Sequence, residues 1–334
     1  MSVRPRPVSV VIPSLDDRDL LEKYLPPLLA ELEARGVGDE VLVVVDTGNA
    51  VLTPWLAKLF PTVICQSRPR TGGFAAALLD GVRQAAHPEV FCMNPDILVH
   101  PGFLEPLQEQ IDDPKVHSAV PRILLFGKSD QVESLTGIGF VDDIAVIEQI
   151  GLEGRAESFA EGVHPVAYAI GGAMLLRREE FLSQGGCDPL FEPFYLEDTD
   201  LGLAAWRSGS EVRYVADSVV EHHHRGTIRR RVPEAFVRAT IERNRYLLQW
   251  KYLWSPALVE RQIAALFRVA MDAYLADDRR ELTWLALALD DSKPWPRAAP
   301  NCRPRTGVSM KSCARRARIT ARAGFVSGRH LTVG

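Results

Sequence analysis

The stretch Phe191-Glu-Pro-Phe-Tyr-Leu-Glu-Asp-Thr-Asp-Leu-Gly-Leu-Ala-Ala-Trp-Arg207 places three acidic residues within four positions, after an aromatic segment and before an apolar repeat. The acids are Glu197, Asp198 and Asp200, and the apolar residues after them recur at helical spacing up to Gly209. Acidic residues are common in the first turn of a helix because they complement the positive end of its dipole. Three carboxylates beside aromatic side chains exceed that need, so the sequence predicts a general base or a metal site here.

The composition is that of a globular protein, because 46% of the 334 residues are hydrophobic and 25% are charged. This length allows one sizeable α/β domain plus an appendage. No run approaches the roughly 18–20 apolar residues of a membrane span, and the N-terminus lacks the apolar core of a secretory signal. The five cysteines form no CxxC pair. We therefore expect a cytoplasmic protein with reduced thiols.

The charge is unevenly distributed along the chain. Residues 295–334 contain nine of the 39 Lys and Arg residues and none of the 43 acids, so residues 1–294 are strongly acidic. An acidic body argues against nucleic acid as a partner. Two interpretations of the tail stay open, a basic arm for anionic lipid and a disordered end, and its lack of periodicity favours the second.

The first hundred residues alternate short β-branched runs with segments of helical periodicity, which predicts βαβ units and a parallel sheet. The predicted strands are Val8–Ile12, Glu40–Val45, Val63–Cys65 and Val90–Met93. In such sheets ligands bind outside the carboxyl ends of the strands. Polar or turn residues follow three of these strands, namely Pro13 to Asp17, Asp46 and Asp96. A lone Asp after a strand usually serves a turn, but three such ends together with the acidic cluster indicate a site.

The pattern is less informative between residues 105 and 165. A hairpin or flexible loop is predicted at 137–143, and a turn at Asp217-Ser218. Further strands are predicted at 116–120, 123–126, 166–170, 212–215 and 219–224.

Four segments occur in a fixed order and carry a family resemblance. They are Gly-Gly-Ala-Met-Leu-Leu-Arg-Arg (171–178), Gly-Gly-Cys-Asp-Pro-Leu-Phe (185–191), Leu-Glu-Asp-Thr-Asp-Leu-Gly-Leu (196–203) and Val-Val-Glu-His-His-His (219–224). They resemble the second half of the catalytic domain of inverting family-2 glycosyltransferases, especially rhamnosyltransferase-like bacterial members.

The resemblance covers about residues 8–255 and implies an α/β fold of the GT-A type. This fold has a Rossmann-like, mostly parallel sheet flanked by helices, followed here by a C-terminal helical segment. The implied division is a catalytic domain at 1–225, helices at 226–292 and a basic tail at 293–334. Within the catalytic domain, residues 1–100 would bind the nucleotide sugar and residues 101–225 the acceptor.

The resemblance also implies a donor nucleotide site at the strand ends. Pro13 and Asp17 would lie near the base and ribose, and Asp46 would contact a uracil or thymine. The segment Arg70-Thr-Gly-Gly-Phe-Ala-Ala-Ala77 would place Gly72 and Gly73 beside the nucleotide, although two glycines also suit a tight turn. Gly171 and Gly172 would approach the donor sugar, and the alternative for them is a bulge in a strand.

Asn94-Pro-Asp96 resembles the metal-binding motif of the family, with Asn94 next to the nucleotide where many relatives have an aspartate. Asp96, together with His222, would hold Mg²⁺ or Mn²⁺, and the diphosphate of the donor would supply most remaining ligands. A histidine at a sheet edge is also common as plain polar surface. Arg225 and Arg229 would neutralise the leaving diphosphate or lie on an anionic membrane surface.

The implied reaction is transfer of a sugar, with inversion, from a dTDP- or UDP-linked donor to a hydroxyl of a cell-envelope glycan or lipid-linked acceptor. Asp198 would be the general base. Glu197 and Asp200 would orient the acceptor, the base or the start of the helix. Rhamnose, another hexose and galactofuranose all stay open as the transferred sugar.

After Pro233 the pattern predicts three helices, at about 236–250, 256–276 and 279–289. The basic and aromatic segment Arg243–Lys251 resembles the post-catalytic helix of enzymes that use lipid-linked sugars. It could contact the inner face of a membrane peripherally, pack on the catalytic domain, or form a homodimer seam.

Three other classes compete with this interpretation. A processive synthase should have membrane spans and a Gln-x-x-Arg-Trp motif, and a nucleotidyltransferase should have a Gly-x-Gly-x-Arg loop after its first strand. A catalytically degenerate GT-A-like protein that binds a nucleotide or glycan is favoured by Asn94 and by the lack of a second acid after Asp46. The intact Glu-Asp-x-Asp segment opposes it.

Overall fold

The computed structural model describes residues 4–141, 146–151, 158–223, 232–253 and 255–291. Within these ranges the chain builds a ten-stranded sheet with helices packed on it, a separate two-stranded hairpin and three C-terminal helices.

The first part of the chain forms the parallel half of the sheet, which confirms the predicted βαβ units. Its elements are β1 (Val8–Ser14), α1 (Arg18–Arg35), β2 (Glu40–Val45), α2 (Leu52–Leu59), β3 (Ile64–Ser67), α3 (Phe74–Gln84) and β4 (Glu89–Met93). The strands pair in the order β4-β1-β2-β3, all parallel. The apolar residues of β1 and β2 are almost completely buried on both faces, as expected for the centre of a covered parallel sheet.

The second part of the chain extends the sheet beyond β4 with strands of both directions. Its elements are β5 (Ile97–Val99), α4 (Leu104–Ile111), β6 (Val116–Leu125), β7 (Lys128–Val132), β8 (Thr136–Val141), β9 (Val146–Gly151), β10 (Val163–Pro165), β11 (Ala173–Arg177), α5 (Arg178–Ser183), α6 (Glu197–Ser208) and β12 (Glu211–His222). β11 lies antiparallel between β4 and β6, and β12 runs parallel to β6. β5 and β10 pair with β12, β7 pairs with β6, and β8 and β9 form the separate hairpin. The α/β fold is confirmed, and the complete sheet is mixed.

The structure corrects two predicted breaks in the strands. β6 runs without interruption through Pro121, and β12 runs through Asp217-Ser218. Pro121 has no N–H group and cannot donate a hydrogen bond to β12. The register of β12 shifts at the same place, between Val215 and Val219, so the irregularity in one strand lies opposite that in the other. Ser218 is buried, and its hydroxyl donates to the carbonyl of Phe103 at 2.6 Å.

A third prediction, a strand at 166–170, is wrong. These residues are irregular, and Gly171 and Gly172 form a turn before β11 rather than a strand interior. The backbone here still finds partners, since the Ala167 nitrogen donates to the Thr136 carbonyl at 3.0 Å.

The predicted C-terminal helices are confirmed as α7 (Glu234–Lys251), α8 (Pro256–Leu275) and α9 (Arg279–Asp291). α7 packs on the segment that leads into α6. The fully buried Asn244 side chain donates from Nδ2 to the carbonyls of Phe191 (3.0 Å), Phe194 (3.1 Å) and Tyr195 (2.8 Å). Of the interpretations open for this helix, these contacts support packing on the main domain.

An apolar cluster reinforces the contact between α6 and α7. Its buried members include Phe191, Leu196, Leu203, Leu247 and Tyr252. Among the residues that the structure describes, no helix has both the length and the apolar character needed to cross a membrane.

Replacing Asn244 by Ala should loosen the segment before α6, because the substitution removes the amide that binds three carbonyls of this segment. We expect the free energy of unfolding to fall by about 1–3 kcal/mol in urea titrations. Amide hydrogen exchange in residues 191–198 should become faster as well.

The control is Gln262→Ala, which removes another buried amide, one that donates to Gln249 Oε1 at 2.8 Å between α7 and α8. This variant should leave exchange in residues 191–198 unchanged. Unchanged exchange there in Asn244→Ala would contradict the positioning role of Asn244.

Candidate active site

Asp46, directly after β2, shapes the glycine turn before α3. It is 2% exposed, and its carboxylate accepts hydrogen bonds from Arg68 Nη1 (2.5 Å), Gly72 N (3.0 Å) and Gly73 N (2.7 Å). Arg68 therefore neutralises its charge, a partner that the sequence pattern did not reveal. Any contact of Asp46 with a nucleotide base must coexist with these internal bonds.

Gly73 brings the turn before α3 against the segment that leads into α6. Its φ is +87°, and a Cβ atom there would lie 1.9 Å from the carbonyl oxygen of Pro193. Both the left-handed backbone and the close approach require glycine. The tight-turn interpretation of Gly72 and Gly73 is thus compatible with a role beside the nucleotide, since the turn lies at the edge where the parallel strands end.

The loop after β1 is held by its own side chains. Pro13 is a buried residue of β1 paired with Val44. Asp17 is also buried, and its Oδ2 accepts from Ser14 Oγ (3.1 Å) and Leu15 N (2.9 Å). This is the turn-forming use of Asp. Contact of Pro13 and Asp17 with the base and ribose stays a prediction.

Gly171 and Gly172 lie between the end of β4 and the acidic helix. Asn94 N donates to the Gly172 carbonyl at 2.8 Å, and Gly171 N donates to Asp198 Oδ2 at 3.3 Å. A Cβ atom on Gly172 would lie 2.7 Å from Asn94 Nδ2, and one on Gly171 would lie 3.0 Å from the Phe74 ring. Only a residue without a side chain fits both positions without displacing these neighbours.

Asp198 is held at the first turn of α6 by backbone amides. Besides the bond from Gly171, its Oδ1 accepts from Thr199 N at 2.7 Å and from Thr199 Oγ at 3.3 Å. The side chain is half-buried, and burial raises the pKa of Asp198 while these hydrogen bonds oppose the shift. A carboxylate with a raised pKa that is still accessible is suited to accept a proton.

Glu197 differs from Asp198 in its environment and in its pKa. It is 8% exposed, and burial together with the charge of Asp198 raises the pKa of Glu197 to about 8. This shift favours the protonated form of the Glu197 carboxyl. Within the described part of the chain, its Oε2 atom has no hydrogen-bond partner.

Asp200 points away from Asp198, because residues two apart lie on opposite sides of a helix. Its carboxylate accepts from Lys251 Nζ and Tyr252 Oη, both at 2.8 Å, and Lys251 also contacts Asp188 at 2.5 Å. Burial raises the pKa of Asp200, and Lys251 opposes that shift. Of the roles predicted for Asp200, the geometry supports fixing the start of α6 against the end of α7.

The backbone just before α6 is strained. Tyr195 and Leu196 have φ values of 72° and 74°, a left-handed conformation that costs non-glycine residues about 1–2 kcal/mol each. Asn244 compensates by binding the carbonyls of this segment, and Arg243 donates to the carbonyl of Glu192. The strained turn directs the first residues of α6, including Asp198, toward Gly171.

Asp96 and His222, the predicted metal ligands, are adjacent although far apart in sequence. The antiparallel pairing of β5 with β12 sets Ile97 opposite His222 and so places Asp96 Oδ1 3.2 Å from His222 Nε2. His222 Nδ1 donates to Glu133 Oε2 at 2.6 Å. Burial alone would lower the pKa of His222, but the bonds to Asp96 and Glu133 raise it to about 9.

A carboxylate oxygen beside an imidazole nitrogen fits a divalent ion such as Mn²⁺. In the part of the chain that the structure describes, no group of three such side chains could hold an ion by itself. Further ligands would therefore come from a bound diphosphate and water. Arg225 and Arg229, predicted to bind the leaving group, lie outside the described residues.

Comparison with known proteins identifies the family to which the chain belongs. Residues 9–181, just over half of the chain, match the model of the family described as glycosyl transferase family 2. No curated protein matches the chain in sequence.

Two solved structures are similar in fold. One is GalNAc-T7 with UDP, GalNAc and Mn²⁺, at 17% identity and a TM-score of 0.54, covering 66% of this chain and 44% of that one. The chain thus spans less than half the length of that protein. The other is the mannosyltransferase PcManGT from Pyrobaculum calidifontis in complex with GDP-Man and Mn²⁺, at 18% identity and a TM-score of 0.51, covering 96% and 81% of the two chains.

Glu197→Gln should stabilise the protein in a pH-dependent way. The folded state keeps Glu197 protonated up to about pH 8, whereas the unfolded chain ionises it near its ordinary value of 4.5. Unfolding therefore releases a proton between these values, and native stability falls as pH rises. The neutral Gln removes this loss. The free energy of unfolding of Glu197→Gln relative to the unmodified protein should therefore increase with pH by at most about 1.4 kcal/mol per pH unit.

Urea unfolding at pH 5 and pH 8 measures this effect. Glu192→Gln, at an exposed position of the same segment, is the control and should show no comparable trend. An equal effect of Glu197→Gln at both pH values would mean that Glu197 is ionised in the folded protein.

Proposed function

Because the chain belongs to glycosyl transferase family 2, we propose that it transfers a sugar from a nucleoside diphosphate donor to an acceptor hydroxyl, with inversion. The observation that carries the proposal is the position of Asp198. Its carboxylate is bound by the Gly171 amide, next to the turn that contacts Asn94 at the end of β4. In a sheet of this type that edge is where a nucleotide ligand binds.

Asp198 acts as the general base in this proposal. A sugar hydroxyl is a weak nucleophile near neutral pH because its proton is tightly held. Asp198 takes that proton while the acceptor oxygen bonds to the anomeric carbon, and the bond from that carbon to the diphosphate oxygen breaks. Neutral Glu197 leaves Asp198 as the charged member of the adjacent pair. The left-handed turn and Asn244 hold the base in place before the acceptor arrives.

We assign the residues of the donor site from their positions at the ends of the strands. The turn made by Gly72 and Gly73 borders the nucleotide, with Asp46 holding their amides, and Pro13, Asp17 and Asn94 complete this edge. Gly171 and Gly172 leave room for the donor sugar.

Asp96 and His222 would hold Mg²⁺ or Mn²⁺, which when bound supplies positive charge for the leaving diphosphate. Both similar structures contain Mn²⁺. Arg225 and Arg229 are proposed to add charge at the same place.

The finer identity of the substrates is part of the proposal. The resemblance of the sequence favours a dTDP- or UDP-linked donor, with rhamnose or another hexose, and a glycan or lipid-linked acceptor of the cell envelope. The similar structures contain UDP in one case and GDP-Man in the other. The proposed peripheral contact with the inner face of a membrane uses the exposed apolar side chains Ile263, Phe267 and Tyr274 of α8. A homodimer also stays a prediction.

Nucleotide binding should be visible as metal-dependent thermal stabilisation. We would screen UDP, dTDP, GDP and CMP, each with Mn²⁺, with Mg²⁺ and without metal. A ligand present at 100 times its dissociation constant stabilises the native state by about 2.7 kcal/mol. We expect a metal-dependent shift with UDP or dTDP. No shift with any nucleotide, in a verified folded sample, would contradict the donor site.

Asp198→Asn should separate chemistry from binding. The amide cannot accept the proton, so we expect kcat/KM for sugar transfer to fall by about 10²–10⁴. Donor affinity, measured by calorimetry, should change by less than a few fold. The matched control is Glu192→Gln, an acid of the same segment whose side chain is exposed, and it should retain transfer. Equal loss of donor binding in Asp198→Asn would overturn its role as base. Donor binding without transfer in the unmodified protein would instead support a degenerate binding protein.

A further inference from the structure

Glu133 lies at the nitrogen of His222 that does not face Asp96. Its Oε2 is 2.6 Å from His222 Nδ1, whereas Asp96 Oδ1 is 3.2 Å from His222 Nε2. The two carboxylates thus flank one imidazole ring from different edges. All three side chains are well shielded, with exposures of 9% for His222, 10% for Asp96 and 24% for Glu133.

The fold fixes Glu133 at this position. The residue follows directly after β7, and its backbone nitrogen donates to the carbonyl of Ile123 in β6 at 2.9 Å. β6 pairs in turn with β12, which ends at His222. The strands therefore bring Glu133 and His222 together although they are 89 residues apart in sequence. The hydrogen bond does not depend on a flexible surface loop.

The ring geometry separates the roles of the two carboxylates. Nδ1 and Nε2 of an imidazole point in different directions, so an ion bound at Nε2 beside Asp96 is out of reach of a carboxylate that binds Nδ1. Glu133 is therefore placed to accept the Nδ1 proton rather than to join the ion. This arrangement, a carboxylate behind a histidine ligand, sets the tautomer and the orientation of the ring.

We propose that Glu133 is the positioning residue of the divalent metal site, which holds His222 with Nε2 directed to the ion beside Asp96. The inference rests on the proposed function, because it takes Asp96 and His222 as the residues that hold the ion. The proposal adds Glu133 to the metal site, from a part of the sequence that contains no site motif. Glu133 is proposed to act through His222.

The expected effect is on metal affinity. Without the carboxylate the imidazole ring can rotate. The proton is then no longer held on Nδ1, so the tautomer with the proton on Nε2, which cannot bind the ion through Nε2, becomes populated. Loss of such a partner typically weakens metal binding 10–100-fold. We expect this range for Glu133→Ala. Glu133→Gln keeps an oxygen that can accept from Nδ1 and should recover a large part of the affinity, which a general packing defect would not do.

The experiment measures Mn²⁺ binding to the full chain by the electron paramagnetic resonance signal of free Mn²⁺. Titrations are made with Mn²⁺ alone, with Mn²⁺ and UDP, and with Mn²⁺ and GDP. The variants are Glu133→Ala, Glu133→Gln, Asp96→Asn and His222→Ala.

The matched control is Glu221→Ala. Glu221 precedes His222 on β12, has a similar side-chain exposure of 26%, and pairs with a different histidine, His100, at 2.9 Å. Its variant should bind Mn²⁺ as the unmodified protein does. Circular dichroism melting of each variant confirms that it is folded.

The outcomes distinguish failure of the role of Glu133 from failure of the metal placement at Asp96 and His222. Weaker binding in Asp96→Asn, His222→Ala and Glu133→Ala, with recovery in Glu133→Gln, supports the inference. Weaker binding in the first two variants but unchanged affinity in Glu133→Ala overturns it, and so does equal weakening in Glu221→Ala. Unchanged affinity in all variants overturns the metal placement and the inference together. The transferase proposal is tested separately, by nucleotide binding and by the dependence of sugar transfer on Asp198.

Discussion

The two glycines before β11 control how close the end of β4 comes to the acidic helix α6. Gly172 meets Asn94 at the end of β4, and Gly171 donates its amide to Asp198. A side chain at either position would collide with Asn94 or with Phe74. A second close approach, between Gly73 and Pro193, joins the same two parts of the chain. A Cβ atom would collide with backbone at Gly73 and would crowd side chains at Gly171 and Gly172, so these glycines allow the close approach on which the position of the proposed base depends.

The three clustered acids avoid mutual repulsion by having three different environments. Buried like charges at this spacing cannot all be ionised without compensation. Burial and the charge of Asp198 raise the pKa of Glu197 and so favour its neutral form, and Asp200 is compensated by Lys251. Asp198 accepts hydrogen bonds from neutral backbone amides, and its side chain stays partly exposed to solvent. The helix α7 supplies both Lys251 and Asn244, so the C-terminal helices are part of what positions the site.

Much of the fold followed from local pattern, and less of the site did. The alternation of strands and helices, the acidic helix ending at Gly209 and the three C-terminal helices are confirmed, because each depends on periodicity within a short window. The predicted strand at 166–170 is wrong since its residues bind by single hydrogen bonds outside any ladder. The pair of Asp96 and His222 was placed by motif order alone. No pattern indicated Glu133, Arg68 or Asn244, which act through partners distant in sequence.

The sequence by itself determined the order and type of the elements, the parallel first half of the sheet and the membership of the acidic cluster. These properties arise from side chains that are neighbours along the chain. Only the tertiary structure decided the state of each acid and the partner of each histidine. Lys251 reaches Asp200 over 51 residues, and Glu133 reaches His222 over 89. Such contacts depend on strand order, register and burial, and these arise only when distant segments pack together.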